Sequence, residues 1–171
     1  MEPDFDLFGF HVAENWTLPD ELMAANGAGF LWALRALKED GQTQARKTGR
    51  VTEPCLESIF PEGKTKDRRF IVKSWAPQLA ILNQGSNGGF VTHCGWKSIL
   101  EAVCAGVPML GWPLYAEQKM NSVFLVEELK VGLAVKRAGD DDDFVSAAEL
   151  EVRVTELMNS NKGEAVRERV N

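Results

Sequence analysis

From Phe30 onward, short apolar runs alternate with segments of helical period. That alternation admits few architectures, because it is the pattern of βα units wound around a parallel sheet. Phe30 to Leu34, Phe70 to Val72, Gly89 to Val91, Pro108 to Gly111 and Leu133 to Val135 read as strands, each bounded by Gly, Pro or charge. Ser98 to Ala105 and Ala116 to Lys130 read as helices, the second carrying Met120, Val123 and Phe124 at i, i+3 and i+4. Ser146-Ala147-Ala148-Glu149 spells a capping box in front of Leu150, Val154, Leu157 and Met158, whose spacing makes one apolar stripe. Pro19 at a first helical position, followed by Asp20 and Glu21, predicts a short helix ending near Asn26-Gly27, and Lys162 to Val170 has a charged helical pattern. The expected fold class is α/β, a parallel sheet flanked by helices.

At 171 residues the chain is one domain long, enough to bury about 70% of the surface its unfolded form exposes. Its 25 Asp and Glu against 19 Lys and Arg give a net charge of −6. Without a basic stripe there is no electrostatic footprint for nucleic acid. No apolar run approaches the roughly 18 residues of a membrane span, and Met1-Glu2-Pro3-Asp4 is acidic where a signal peptide is basic, so a cytoplasmic protein is expected. Cys55, Cys94 and Cys104 form no CxxC pair, and His11 and His93 are the only imidazoles, so reduced thiols and no metal are expected. The acidic run Asp140 to Asp143 lacks EF-hand spacing and is explained as a solvated loop. Lys38 to Arg69 has little periodicity and reads as a long excursion of the functional or disordered kind.

The chemistry is concentrated between Trp75 and Gln118, which holds three of the five tryptophans and a glycine-rich turn at Gly85 to Gly89. Gly88 to Thr92 is a strand emerging into the tight loop His93-Cys94-Gly95, with Ser98 opening the next helix. A helix start after a strand offers backbone N–H groups and a positive dipole end, which suits a phosphate. The same letters admit a second reading: Ser98-Ile99-Leu100-Glu101 is itself a capping box, which stabilises a helix with no ligand at all. His93 is equally open to a purely structural role, and Trp75 and Trp96 to a core role, although tryptophan beside Pro77 or Gly95 in loops is a costly way to fill a core.

The 44 residues from Trp75 to Gln118 resemble the signature box of plant family 1 UDP-glycosyltransferases. Trp75-Ala76-Pro77-Gln78, Ile81-Leu82, Gly89 to Trp96, Ser98, Glu101, Gly106-Val107-Pro108, Pro113 and Glu117-Gln118 all stand at the family's offsets. The likeness continues upstream through Phe30 to Arg35 and downstream through Leu114 to Asn121 and on to Val170, where it is similar to the branch acting on flavonoids, chalcones and hydroquinone. It implies a Rossmann-like donor-binding domain over residues 30–171, the C-terminal half of a GT-B fold, preceded by an atypical segment 1–29.

By the same resemblance, Trp75 stacks on uracil while the Ala76 backbone reads its edge, and Gln78 lies close to the ribose. Glu101 accepts both ribose hydroxyls, a task that suits the two oxygens of a carboxylate. His93 and Ser98, with the helix start, hold the diphosphate leaving group as its charge develops. Trp96, Glu117 and Gln118 contact sugar hydroxyls, and the implied donor is UDP-glucose, with no cofactor and no metal. Two positions depart from the pattern. Lys97 stands where the family has Asn at the donor phosphate, and Gln84 where it has His. Lys97 keeps a positive point charge there but not the amide geometry.

Family members face this domain with an N-terminal one that carries the histidine base and the acceptor pocket. The chain resembles only the second domain, so no catalytic residue is expected in it, and a phenolic acceptor is expected only where an N-terminal domain is supplied. His11 lacks the proline-bounded setting of the family's base, and Met1 to Glu14 lacks the family's usual Ser-Phe-Gly-Ser strand and loop. Those two features, with the end at Asn171 inside a helical pattern, are expected of a truncated product. A donor-binding half, inactive alone, and a non-catalytic truncated product that binds no donor or acts only by associating with a full-length relative are the two readings. An oxidoreductase is weaker, since neither Gly27-Ala28-Gly29 nor Gly85 to Gly89 spells GxGxxG.

Overall fold

The computed structural model describes residues 7–12, 29–34, 69–72, 76–114, 117–136 and 145–171. Six strands, β1 (Leu7–Val12), β2 (Gly29–Leu34), β3 (Arg69–Val72), β4 (Asn87–Thr92), β5 (Met109–Gly111) and β6 (Gly132–Ala134), pair in the order β3-β2-β1-β4-β5-β6. Every neighbouring pair is parallel. Helices α1 (Gln78–Leu82), α2 (Trp96–Cys104), α3 (Gln118–Val123), α4 (Ala147–Asn159) and α5 (Asn161–Val170) accompany the sheet, and α3 runs on into a π-helical segment, Phe124–Leu129. This is the α/β parallel sheet that the alternation predicts. From β1 the chain winds to β2 and β3 on one side, and from β4 to β5 and β6 on the other. The winding reverses between β1 and β4, and open parallel sheets bind ligands beyond the carboxyl ends of the strands at such a reversal.

β1 overturns one expectation. The start of the chain supplies a strand, paired to β2 from Leu7↔Gly29 to Val12↔Leu34 and to β4 with a register shift between Leu7 and Phe8. Its place is fixed by non-local pairing on both edges, which no local pattern announces. The predicted helix after Pro19, Lys38 to Arg68 of the long excursion, and the acidic run Asp140 to Asp143 lie outside the described residues.

Phe90, Cys94, Ile99, Ala102, Val107, Met109, Leu125 and Val131 make one buried cluster between the sheet and its helices. Two glycines let the segment after α3 lie close to the sheet. A Cβ on Gly111 would stand 3.2 Å from Leu125 Cδ2, and one on Gly132 would stand 2.6 Å from the Met109 carbonyl oxygen. The predicted continuous helix from Ala116 to Lys130 is therefore corrected: its second half widens to a π-helical turn that seats Leu125, and it stops at Lys130 in the left-handed region (φ 57°).

Past β6 the expected stripe is buried, with Leu150 and Leu157 fully and Val154 nearly so. Ser146 caps α4 through the Glu149 N–H (3.2 Å), but the reciprocal half of the box is absent. The Glu149 carboxylate instead accepts from the Lys136 N–H (2.9 Å) and Arg153 Nε (2.7 Å), fastening the end of β6 to α4. Arg153 also bridges to Glu156. Burial pushes both carboxyls up, but hydrogen bonds from Arg153, the Lys136 N–H on Glu149 and Lys162 on Glu156 outweigh it and hold both below the usual glutamate range. Such a shift stabilises the fold fully above the unfolded glutamate value and is lost as pH falls through the lower folded value. Arg153→Met is accordingly expected to flatten the fall in Tm between about pH 5 and about pH 3. Acid slopes that superimpose for variant and wild type would show that this trio contributes nothing.

Candidate functional site

β4 ends at Thr92, and the next three residues turn the chain into α2. Thr92 is fully buried, its carbonyl accepts the Trp112 N–H (2.8 Å), and its Oγ1 accepts the Cys94 N–H (3.2 Å). Cys94 takes a positive φ of 65°, a costly conformation for a side-chain-bearing residue that persists only where the surroundings fix it. Here they do. Its thiol lies fully buried, Asn121 Nδ2 donates to its carbonyl (3.0 Å), and burial pushes the thiol up to about 11 against opposing hydrogen bonds from Ser122 and the Trp112 backbone. Cys94 is thus a neutral packing group and not a nucleophile.

Gly95 is the N-cap of α2, with no side-chain cap bond. Of the two readings of Ser98 to Glu101, the capping box is not what forms. The helix opens at Trp96, two residues earlier than predicted, so Ser98 already lies inside its first turn. Ser98 is buried and its Oγ accepts from Gln78 Nε2 (3.3 Å), while the same Nε2 donates to Glu101 Oε2 (2.7 Å). Gln78, at the start of α1, is thereby tied to α2, and it presents Glu101 with one oxygen engaged. The other oxygen, Oε1, faces Lys97 Nζ at 3.6 Å, from a lysine side chain 90% exposed. An exposed i,i+4 pair of this length is weak, so Lys97 is free to yield Oε1 to a hydroxyl or to swing toward an anion.

His93 packs its imidazole over Gly95 so closely that a Cβ there would stand 2.4 Å from Nε2. The structure thus gathers His93, Lys97, Ser98, Glu101 and Gln78 around the start of α2, beyond the carboxyl end of β4. Ala76 precedes them at half burial, and Trp75 lies outside the described residues. An uncapped helix start with a cation nearby and a carboxylate one turn further can hold an anion and a polyhydroxylated group side by side.

The second loop of the site follows β5. Glu117 is exposed at the start of α3, but Gln118 is buried, its Oε1 accepting the Leu114 N–H (2.9 Å), so that oxygen is turned to its own loop. Trp96 is 48% exposed, with its ring tilted against Phe124 at 5.8 Å between centroids. Leu100, one turn along α2, and Met120, one turn before Phe124, are exposed as well, which makes an apolar strip beside the site. Gln84, the second departure, donates to the Ala80 carbonyl (3.0 Å) and closes the end of α1. His11 lies in β1, backbone-paired with Ala33. Asn121 and Thr92, which sequence reasoning did not single out, hold the turn at Cys94 that leads into the site. The signal for Asn121 was its i+3 spacing from Gln118, which puts both amides on one helix face.

A family model described as UDP-glucoronosyl and UDP-glucosyl transferase matches residues 26–164. The chain is 53% identical over 148 residues to an anthocyanidin 5,3-O-glucosyltransferase from a Rosa hybrid cultivar, an alignment covering 85% of this chain and 29% of that protein. It is 52% identical over 144 residues to UDP-glycosyltransferase 1 of Pueraria montana var. lobata, covering 82% of this chain and 29% of the relative. The chain thus spans about three-tenths of the length of the curated relatives it matches. Among solved structures, Phytolacca americana UGT2 complexed with UDP-2fluoro-glucose and pterostilbene superposes with a TM-score of 0.76 at 34% identity, over 99% of this chain and 36% of that one.

Proposed function

Because this chain belongs to the UDP-glucoronosyl and UDP-glucosyl transferase family of plants, we propose that it binds a UDP-sugar at the start of α2. Its sheet and helices match part of the GT-B structures of plant UDP-glycosyltransferases. The observation that carries the reading is the pairing of an uncapped helix N-terminus behind Gly95 with the Gln78-braced carboxylate of Glu101. The first suits the diphosphate and the second a ribose diol. In this reading Trp75 stacks on uracil and His93, Lys97 and Ser98 surround the phosphates. Trp96, Glu117 and Gln118 lie on the sugar side, with Gln118 steadied by the Leu114 N–H on its Oε1.

The parent activity is inverting transfer of glucose from UDP-glucose to the hydroxyl of a small phenolic of the flavonoid kind, in the cytoplasm. A base must stand roughly 2.6 to 3.2 Å from the acceptor hydroxyl to assist its attack. The chain spans about three-tenths of the length of its curated relatives, and the 171-residue chain alone is expected to bind donor with little or no turnover. The exposed strip of Trp96, Leu100, Met120 and Phe124 favours a second reading, in which the chain acts by associating with a full-length relative.

Calorimetric titration of the purified chain with UDP and UDP-glucose tests the first. Saturable binding is expected, weakened at least tenfold, about 1.4 kcal/mol, by either Trp75→Ala or Glu101→Ala. A folded chain that takes up neither ligand would sink the donor-binding reading, and glucosylation of a phenol by the chain alone would refute its inactivity.

A further inference from the structure

We propose that Asn121 is a positioning residue for the diphosphate, acting through the Cys94 carbonyl; the inference rests on the donor-binding reading above. Asn121 is buried in α3, and its Nδ2 holds the Cys94 carbonyl oxygen at 3.0 Å. The Cys94–Gly95 peptide is trans, so its carbonyl and its N–H point in opposite directions. Fixing the carbonyl toward α3 therefore directs the Gly95 N–H away from α3, on the side where α2 begins. That N–H precedes the N–H groups of the first turn of α2, and together they form the donor set that an anion meets there.

The restraint is needed because the neighbouring geometry is strained. Cys94 sits at φ 65°, and relaxing it toward the ordinary right-handed or extended regions rotates this peptide. A rotated peptide would present its carbonyl oxygen to the diphosphate in place of an N–H, exchanging attraction for repulsion. Thr92 Oγ1 restrains the peptide on the other side of Cys94 through its N–H, so Asn121 is what holds the carbonyl end of the turn. The uridine portion is assigned to Trp75, Gln78 and Glu101, and the side-chain bonds of Gln78 and Glu101 run to each other, to Ser98 and to Lys97. The consequence is selective: losing the amide donor should weaken phosphate recognition and leave nucleoside recognition intact.

Asn121→Leu and Asn121→Asp, each close to asparagine in size and each lacking the amide donor, are titrated with UDP and with uridine alongside the wild-type chain. We expect UDP to weaken by about tenfold or more while uridine stays within about twofold. Equal losses for the two ligands, or no loss of UDP, would overturn the inference, since a merely structural role lowers both together. A measurement independent of any variant's folding accompanies this. In the amide NMR spectrum of the wild-type chain, UDP but not uridine is expected to shift the Gly95 resonance downfield, and a Gly95 amide indifferent to UDP overturns the inference alone. A wild-type chain that binds neither ligand overturns the donor reading and takes this inference with it.

Discussion

Gly95→Ala is expected to weaken UDP binding severely while leaving the chain folded. The backbone at Gly95 (φ −64°, ψ 133°) is open to alanine, so the conformation itself is not at issue. The added methyl would stand 2.4 Å from His93 Nε2, closer than carbon and ring atoms approach, and a tight 3.0 Å from Cε1 and 3.2 Å from Cδ2. Something must move, and the imidazole is what can. For stability the change nearly cancels. Alanine in place of glycine gains about 0.4 to 1 kcal/mol by restricting the unfolded chain, and it loses a comparable amount, about 1 kcal/mol, as a poor N-cap residue. For binding nothing cancels, because the displaced imidazole and the new methyl both occupy the space over the first turn of α2. A loss of at least thirtyfold in UDP affinity, about 2 kcal/mol, with a Tm within a few degrees of wild type, is the expected pair of results. UDP affinity within twofold of wild type would mean that His93 and the Gly95 surface stand away from the diphosphate.

The same four-letter pattern occurs twice in this sequence and does two different things, which shows where reading from sequence runs out. Ser146 caps α4 through the Glu149 N–H as its letters predict, although the Glu149 side chain turns to Lys136 and Arg153 instead of closing the box. Ser98 to Glu101 does not cap α2. There the start of the helix is set by the strained turn at Cys94, and Ser98 and Glu101 are both claimed by Gln78 from α1. A contact between residues twenty or more positions apart overrides a propensity worth about 1 kcal/mol. The α3 segment inverts its pattern for a related reason. Met120, Val123 and Phe124, whose spacing predicts a buried stripe, are exposed, with Met120 at 70%, while Gln118, Asn121 and Ser122 are buried. The inward face of α3 is polar because it hydrogen-bonds the two loops of the site, to Leu114 and to Cys94. Apolar periodicity correctly gave the helix and misassigned its inner face. β4, β5 and β6 were legible because Gly and Pro bound short apolar runs, and β1 was not, because only its partners on both sides define it.

Gly163→Ala should be the most destabilising single methyl in the described part of the chain, and the sign is not obvious in advance. Gly163 lies in the first turn of α5, where alanine is intrinsically the better helix former by about 1 kcal/mol. The packing decides against it. A Cβ at Gly163 would stand 2.0 Å from the Leu157 carbonyl oxygen and 2.6 Å from that of Glu156, and both are backbone atoms of α4 that no rotamer change can move aside. The junction around them is closely tied. Ser160 caps α5 through the Gly163 N–H (3.1 Å), its hydroxyl donates to the Glu156 carbonyl (2.6 Å), and Arg167 Nη1 donates to the carbonyls of Leu157 (2.6 Å) and Met158 (3.1 Å). Relief of the clash must swing α5 away from α4. That would loosen Val166, which is buried, and Val170, which packs against the cluster containing Cys94 and Ile99 beneath the site. The expected cost is about 3 kcal/mol or more, in the range of overpacked and strained positions. Urea unfolding with an unchanged m-value measures it, and Ala165→Gly, an exposed position two residues on, gives the contrast. There the helix propensity acts alone, and removing a methyl should cost about 1 kcal/mol. If Gly163→Ala proved neutral or stabilising, α4 and α5 would have to meet less closely than the structure has them, and Val170 would lose its place under α2.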